Sequence, residues 1–170
     1  MNLWENFFGK AQGNETFAHE LHKKVASLMP NSTQEDQLYT ACIAGLLARV
    51  AFVDFEIHHQ EKSHMMDVLQ EWGTFSAQDS QAITSLAIEH VKELSGLENH
   101  LYCVPLSENL SVKRRYAIVL ALFALAASDG SVDNNESEEI RTITTGLLLE
   151  HKHYISARAS VLDKLAALKS

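Results

Sequence analysis

One pattern occurs twice in this chain at a fixed distance, and it restricts the fold more than any other feature. The stretch "LLARVAFVDFEIHHQEKSHM" (46–65) aligns without a gap on "ALFALAASDGSVDNNESEEI" (121–140), 75 residues later. Ala51 falls on Ala126, Asp54 on Asp129, Ile57 on Val132, Glu61 on Glu136 and Met65 on Ile140. Each copy reads as an apolar helix, then Asp-x-x-[Ile/Val]-x-x-x-Glu, then an amphipathic helix. Small residues on the apolar helices, Ala44, Gly45 and Ala48 in one and Ala121, Ala124 and Ala126 in the other, let the two approach closely as a central pair. The expected arrangement is two helix-turn-helix repeats related by a pseudo-twofold axis, repeat 1 over about 35–72 and repeat 2 over about 111–149.

The rest of the chain has the same helical character. Only Pro30 and Pro105 interrupt it, and no segment alternates as a strand does. Helices are expected over about 15–29 behind an Asn14 cap, 34–53 behind Thr33 and Asp36, 59–72 ending at Gly73, and 77–94 between the Ser76–Asp79 box and Gly96. A short helical or irregular piece follows around Pro105. Ser111 then caps a long helix to Ala127, and two more run over about 134–149 and 152–168. This is an all-α, single-domain helical bundle of about seven to eight helices over 14–170, preceded by a short amphipathic segment, 1–13. In that segment Leu3, Trp4, Phe7 and Phe8 share one helical face, suited to docking on its own domain ahead of lipid because the decamer holds a single Lys.

Charge and cysteine usage narrow the function. Fourteen Lys and Arg stand against 22 Asp and Glu, a formal charge of -8, with no basic run longer than Lys113-Arg114-Arg115. A nucleic-acid partner is disfavoured. Cys42 and Cys103 sit apart from each other in sequence among apolar neighbours, as small hydrophobes of a reducing compartment do. The uncharged run from Tyr116 to Ala127 is too short to span a bilayer, and the start has no signal-peptide pattern. A cytoplasmic protein without a transmembrane segment is expected.

The two copies resemble the paired signature of the tellurite-resistance protein B (TerB)-like domain: an apolar helix ending in Ala-x-Asp-Gly, a branched apolar residue two positions on, then Asp and a Glu three past it. The second copy matches through Asp129, Gly130, Val132, Asp133 and Glu136. The first departs from it, with Phe55 at the glycine position and His58 at the second aspartate. The resemblance covers roughly 35–158. It implies an all-helical domain without catalytic activity, a divalent-metal site at the acidic turns, and a place in bacterial stress-response systems.

Two accounts of the acidic turns follow from their residues. In the first they are only helix punctuation: Gly130 supplies a positive φ, Asp133 is an N-cap, and Glu136 three residues later completes a capping box. In the second, direction matters. Glu136 lies on the stripe of Ile140, Ile143 and Leu147, and Glu61 on the stripe of Met65, Val68 and Trp72, so both glutamates face inward. An inward carboxylate has to be hydrogen-bonded, paired or coordinated. The available partners are loop amides, a cation such as Arg49, or a hard cation, Ca²⁺ or Mg²⁺, held weakly by Asp129, Asp133 and Glu136 with Asp54 and Glu61 from the first copy. The loop is not an EF-hand: counted from Asp129, its sixth residue is Asn134 and its twelfth Ile140.

Other chemistry is thinner. Glu56/His59, Glu61/His64 and Glu150/His153 have the Glu-x-x-His spacing of di-iron bundles, with Glu89 as a further donor, but their helical phases differ. No zinc-protease, phosphate-loop or serine-hydrolase motif occurs. A non-enzymatic binding module is the expectation; a metal-free scaffold or oligomerisation domain, and a di-iron or other metal-dependent enzyme, are the alternatives. Val161, Leu162, Leu165 and Leu168 offer a face for self-association or a protein partner, against the simpler reading that this last helix packs on its own bundle.

Overall fold

A computed structural model describes residues 15–93 and 98–170. The segment 1–13 with its four aromatic and aliphatic residues, the Asn14 cap and Gly96 lie outside the described residues. The chain forms α1 (Glu15–Leu28), α2 (Gln34–Ala51), α3 (His59–Gly73), α4 (Ala77–Glu93), α5 (Glu98–Asn109), α6 (Val112–Ala126), α7 (Asn134–Gly146) and α8 (His151–Lys169), with a 3₁₀ turn at Ala127–Asp129. There is no strand among the described residues. The starts are set by chemistry legible in the sequence: the Thr33, Ser76 and Ser111 hydroxyls accept from the amides of Asp36, Asp79 and Arg114. Around Pro105 the chain is helical, and the turns about it are anchored by buried Tyr102, Cys103 and Leu106.

The contacts realise the pseudo-twofold. The first helices of the repeats, α2 and α6, touch each other, and the cross-contacts are reciprocal: α2 meets α7 as α3 meets α6. The repeat also extends one helix further than the alignment suggests. After each helix-turn-helix unit comes a third helix lying on both members, α4 on α2 and α3, α8 on α6 and α7. Their buried positions, Ser80, Ile83 and Ala87 against Tyr154, Ala157 and Val161, correspond at an offset of 74. Backbone conformation repeats too. The left-handed residues pair as Phe55 (φ 67°) with Gly130 (φ 101°), and Thr74 (φ 55°) with Leu148 (φ 54°). The left-handed cap of α3 is thus Thr74, with Gly73 still inside the helix.

Symmetry ends at the flanks. Helix α1 packs on α2 and α4, while α5 packs on α2 and α7, so α2 has neighbours all round and is largely buried beyond its exposed first turn, 34–36. Its twin α6 has the same exposed first turn and stays half-buried through its second, at 115–117. Gly45 serves this crowding rather than the α2–α6 approach: a Cβ there would lie 2.5 Å from the Tyr102 ring of α5. On the last helix Val161 is buried and Leu165 half-buried, whereas Leu162 and Leu168 are exposed. The core accounts for part of that apolar face only.

Candidate functional site

The two acidic turns are built by the same hydrogen bonds. In the first, Phe55 N–H donates to the Phe52 carbonyl at 3.0 Å, Glu56 N–H to Asp54 Oδ1 at 3.1 Å, and His58 N–H to Glu61 Oε2 at 2.8 Å. In the second, Gly130 N–H donates to the Ala127 carbonyl at 3.0 Å, Ser131 N–H to Asp129 Oδ1 at 3.0 Å, and Asp133 N–H to Glu136 Oε2 at 2.8 Å. Each of these bonds falls on its counterpart when 75 is added to both residues. Asp133 adds the reciprocal arm of its box, its Oδ1 accepting from Glu136 N–H at 2.8 Å. Ile57 and Val132, the branched residues of the pattern, both pack against the core and hold the turns down.

The glutamates do face inward. Glu61 is 4 % exposed, the one buried acidic residue among those described. Glu136 is half-buried, while Asp54, Asp129 and Asp133 are exposed. The 3₁₀ turn that carries Asp129 lies against α3, which carries Glu61. The turns therefore feel one another. Burial raises the Glu61 carboxyl above its usual range; the His58 amide opposes this, and Asp54 and Asp129 add to it. Glu136 is pushed up to about 7, chiefly by burial, against the pull of the Asp133 amide, and further by the charges of Asp133, Glu61 and Asp129. The carboxylates singled out in the sequence are thus linked through the two glutamates: Asp54 and Asp129 act on Glu61, and Asp133, Glu61 and Asp129 act on Glu136. One oxygen of each inward glutamate is committed to its cap, and an oxygen-only donor set suits a hard cation. As placed, no three His, Cys, Asp or Glu side chains among the described residues are grouped to hold a metal ion.

The remaining candidates fall elsewhere. Arg49, on α2, pairs with Glu139 of α7 at 3.1 Å, both side chains largely buried. That bridge spans the two repeats, 90 residues apart, and no local spacing announces it. Arg115 donates to the carbonyls of Leu147 and Leu148 at 2.6 and 3.2 Å, closing the C-terminal end of α7. Of the Glu-x-x-His pairs, Glu56 and His59 are exposed, as is Glu89. Glu150 and His153 cap α8, Glu150 N–H donating to His153 Nδ1 at 3.2 Å. Cys42 and Cys103, far apart in sequence, come close enough for the Cys103 charge to act on Cys42. Burial raises both thiols, Cys103 to about 12, which leaves neither as a reactive thiolate.

An all-helical tandem repeat with an acidic turn in each copy is the class of protein that fold and site define. The family model described as tellurite resistance protein TerB matches residues 40–159, and the chain belongs to that family. Comparison with curated proteins and with solved structures returned no match. Among the described residues no helix is long and apolar enough to cross a membrane.

Proposed function

We propose that the chain is a non-enzymatic TerB module whose paired turns take up Ca²⁺ or Mg²⁺ weakly and which acts through protein contacts in a bacterial stress response of the tellurite-resistance type. The observation that supports cation uptake is the raised pKa of Glu136, at about 7, together with its cause: a half-buried carboxylate crowded by three others. Such a group is relieved by a proton or by a cation, and the two compete. Asp129 and Asp133 are exposed, each with its Oδ1 tied to a backbone amide, which leaves Oδ2 to turn to a cation; Asp54 and Glu61 supply the facing charge.

Calorimetry and amide shifts during Ca²⁺ and Mg²⁺ titration test this reading. The expected dissociation constant is on the order of 10⁻⁴ to 10⁻³ M, as for modest all-oxygen sites. Shifts are expected at 54–61 and 129–136, and affinity should rise as pH goes from 6 to 8 and Glu136 loses its proton, with protons released on binding. Unchanged amides at both turns up to about 10 mM cation overturn the reading and leave the turns as helix caps on a metal-free scaffold.

A further inference from the structure

The two repeats also differ away from the acidic turns, in the groove where the second and third helices of each unit lie side by side. In the second repeat this groove is closed by the protein itself. Arg158 on α8 reaches across and donates from Nε to Ser137 Oγ of α7 at 3.2 Å, and Ser137 Oγ also bonds Tyr154 Oη at 2.8 Å. In the first repeat the position of Arg158 is taken by Thr84, at the offset of 74 that relates α4 to α8, and that of Ser137 by Lys62, at the offset of 75 that relates α3 to α7. Threonine is too short to cross, and the cation has changed helices.

The groove between α3 and α4 consequently stays open, with a volume of about 470 Å³. Thr84 is 3 % exposed, and its Oγ1 is buried without a hydrogen-bond partner. A hydroxyl left in that state costs about 1–3 kcal/mol. Around it stand Lys62 and Lys92, with Ser63 and Ser85 beside them, and Met66 and Ile88 supply apolar wall. Neither lysine has an ion-pair partner among the described residues. One carboxylate, Glu89, faces these two ammonium groups and His59, so the local charge balance is positive in a chain of net charge -8.

We propose that this groove binds a small organic oxyanion, a phosphate or carboxylate head on a compact apolar body. The head pairs with Lys62 and Lys92 and accepts from Thr84 Oγ1 once that side chain turns its enclosed hydroxyl toward the groove, and the body lies on Met66 and Ile88. Size agrees, since small-molecule sites span roughly 300–1,000 Å³ and combine apolar wall with a few convergent polar groups. In the second repeat Arg158 reaches across the corresponding space to Ser137.

The test uses the full chain and three probes: phenyl phosphate, benzoate and inorganic phosphate. Phenyl phosphate should give saturable amide shifts at 62–66 and 84–88 with a dissociation constant at or below about 1 mM. Lys62→Ala and the isosteric Thr84→Val should each weaken binding about tenfold while the fold is retained, as one charge-assisted or buried hydrogen bond is lost. The double variant Thr84→Arg with Lys62→Ser restores the second repeat's own pair; it should keep the helical far-ultraviolet spectrum and lose binding altogether. Absence of saturable shifts with all three probes overturns the proposal, as do equal affinities in the parent and the double variant. Equal responses to inorganic phosphate and phenyl phosphate overturn the apolar body.

Discussion

The turn at 52–61 and the turn at 127–136 have the same backbone and different chemistry. Both place a left-handed residue three positions after the C-cap region begins, and both tie an aspartate and a glutamate to the same relative amides. Yet the first uses Phe55 where the second uses Gly130, and His58 where the second uses Asp133. Phe55 is 80 % exposed and meets only Phe52 edge-on, ring centroids 5.6 Å apart, among the ring contacts described. A non-glycine residue at positive φ costs about 1–2 kcal/mol, so the hydrogen bonds and the buried glutamate hold the first turn in a shape its own sequence does not favour. The tertiary setting thus holds one turn shape with two sets of side chains, and the first copy carries the less acidic set. Function that depends on the full acidic set rests on the second.

The largest effect is expected at the twin core positions Met65 and Ile140, both fully buried: each substituted by Ala should lose about 2–5 kcal/mol in urea unfolding. Equal losses with one shared transition mark the repeats as one cooperative unit; separate transitions for the two variants would show that they unfold independently. Next comes the bridge between repeats. Arg49→Ala should cost about 2 kcal/mol, because a largely buried charged hydrogen bond is removed, and a cycle with Glu139→Ala should show coupling of about 1 kcal/mol.

Turn geometry gives a smaller effect of opposite sign in the two copies. Gly130→Ala should destabilise by about 1 kcal/mol, and Phe55→Gly should stabilise by about 0.5 kcal/mol, since the left-handed conformation penalises any Cβ. Two shifts of the same sign in thermal melts would mean that the turns are not equivalent. The electrostatic effect is read from a pH profile rather than at a single pH. Because Glu136 is pushed from its ordinary 4.5 up to about 7, the folded chain holds this proton more tightly than the unfolded one. Its contribution to stability is complete below pH 4.5 and is lost as pH rises to about 7. Glu136→Gln should remove that slope and melt slightly higher than the parent at pH 8; an unchanged pH profile would place the proton elsewhere.

Much of the fold was legible because helix starts carry their own chemistry. Thr33, Ser76, Ser111 and Asp133 are all followed three residues later by the amide they accept from, and each marks a real helix start. The inward direction of Glu61 was legible from helical phase alone. The third helix of each repeat was not, because the register slips by one residue between the units and the facing side chains differ: Ser80 and Thr84 in one, Tyr154 and Arg158 in the other. Nor was the partner of Arg49. Phase on α2 shows which way a side chain leaves the helix, and it cannot show that Glu139 arrives there from 90 residues away.

Sequence by itself determined the all-helical architecture, the pseudo-twofold and the five carboxylates, since these follow from periodicity, capping and an alignment of the chain with itself. Only the tertiary structure decided how those carboxylates act on each other and which groove stays open. Electrostatic coupling depends on distance and burial, both set when α3 meets the second turn. An open groove depends on whether a side chain from the facing helix reaches across, and here Arg158 does where Thr84 does not.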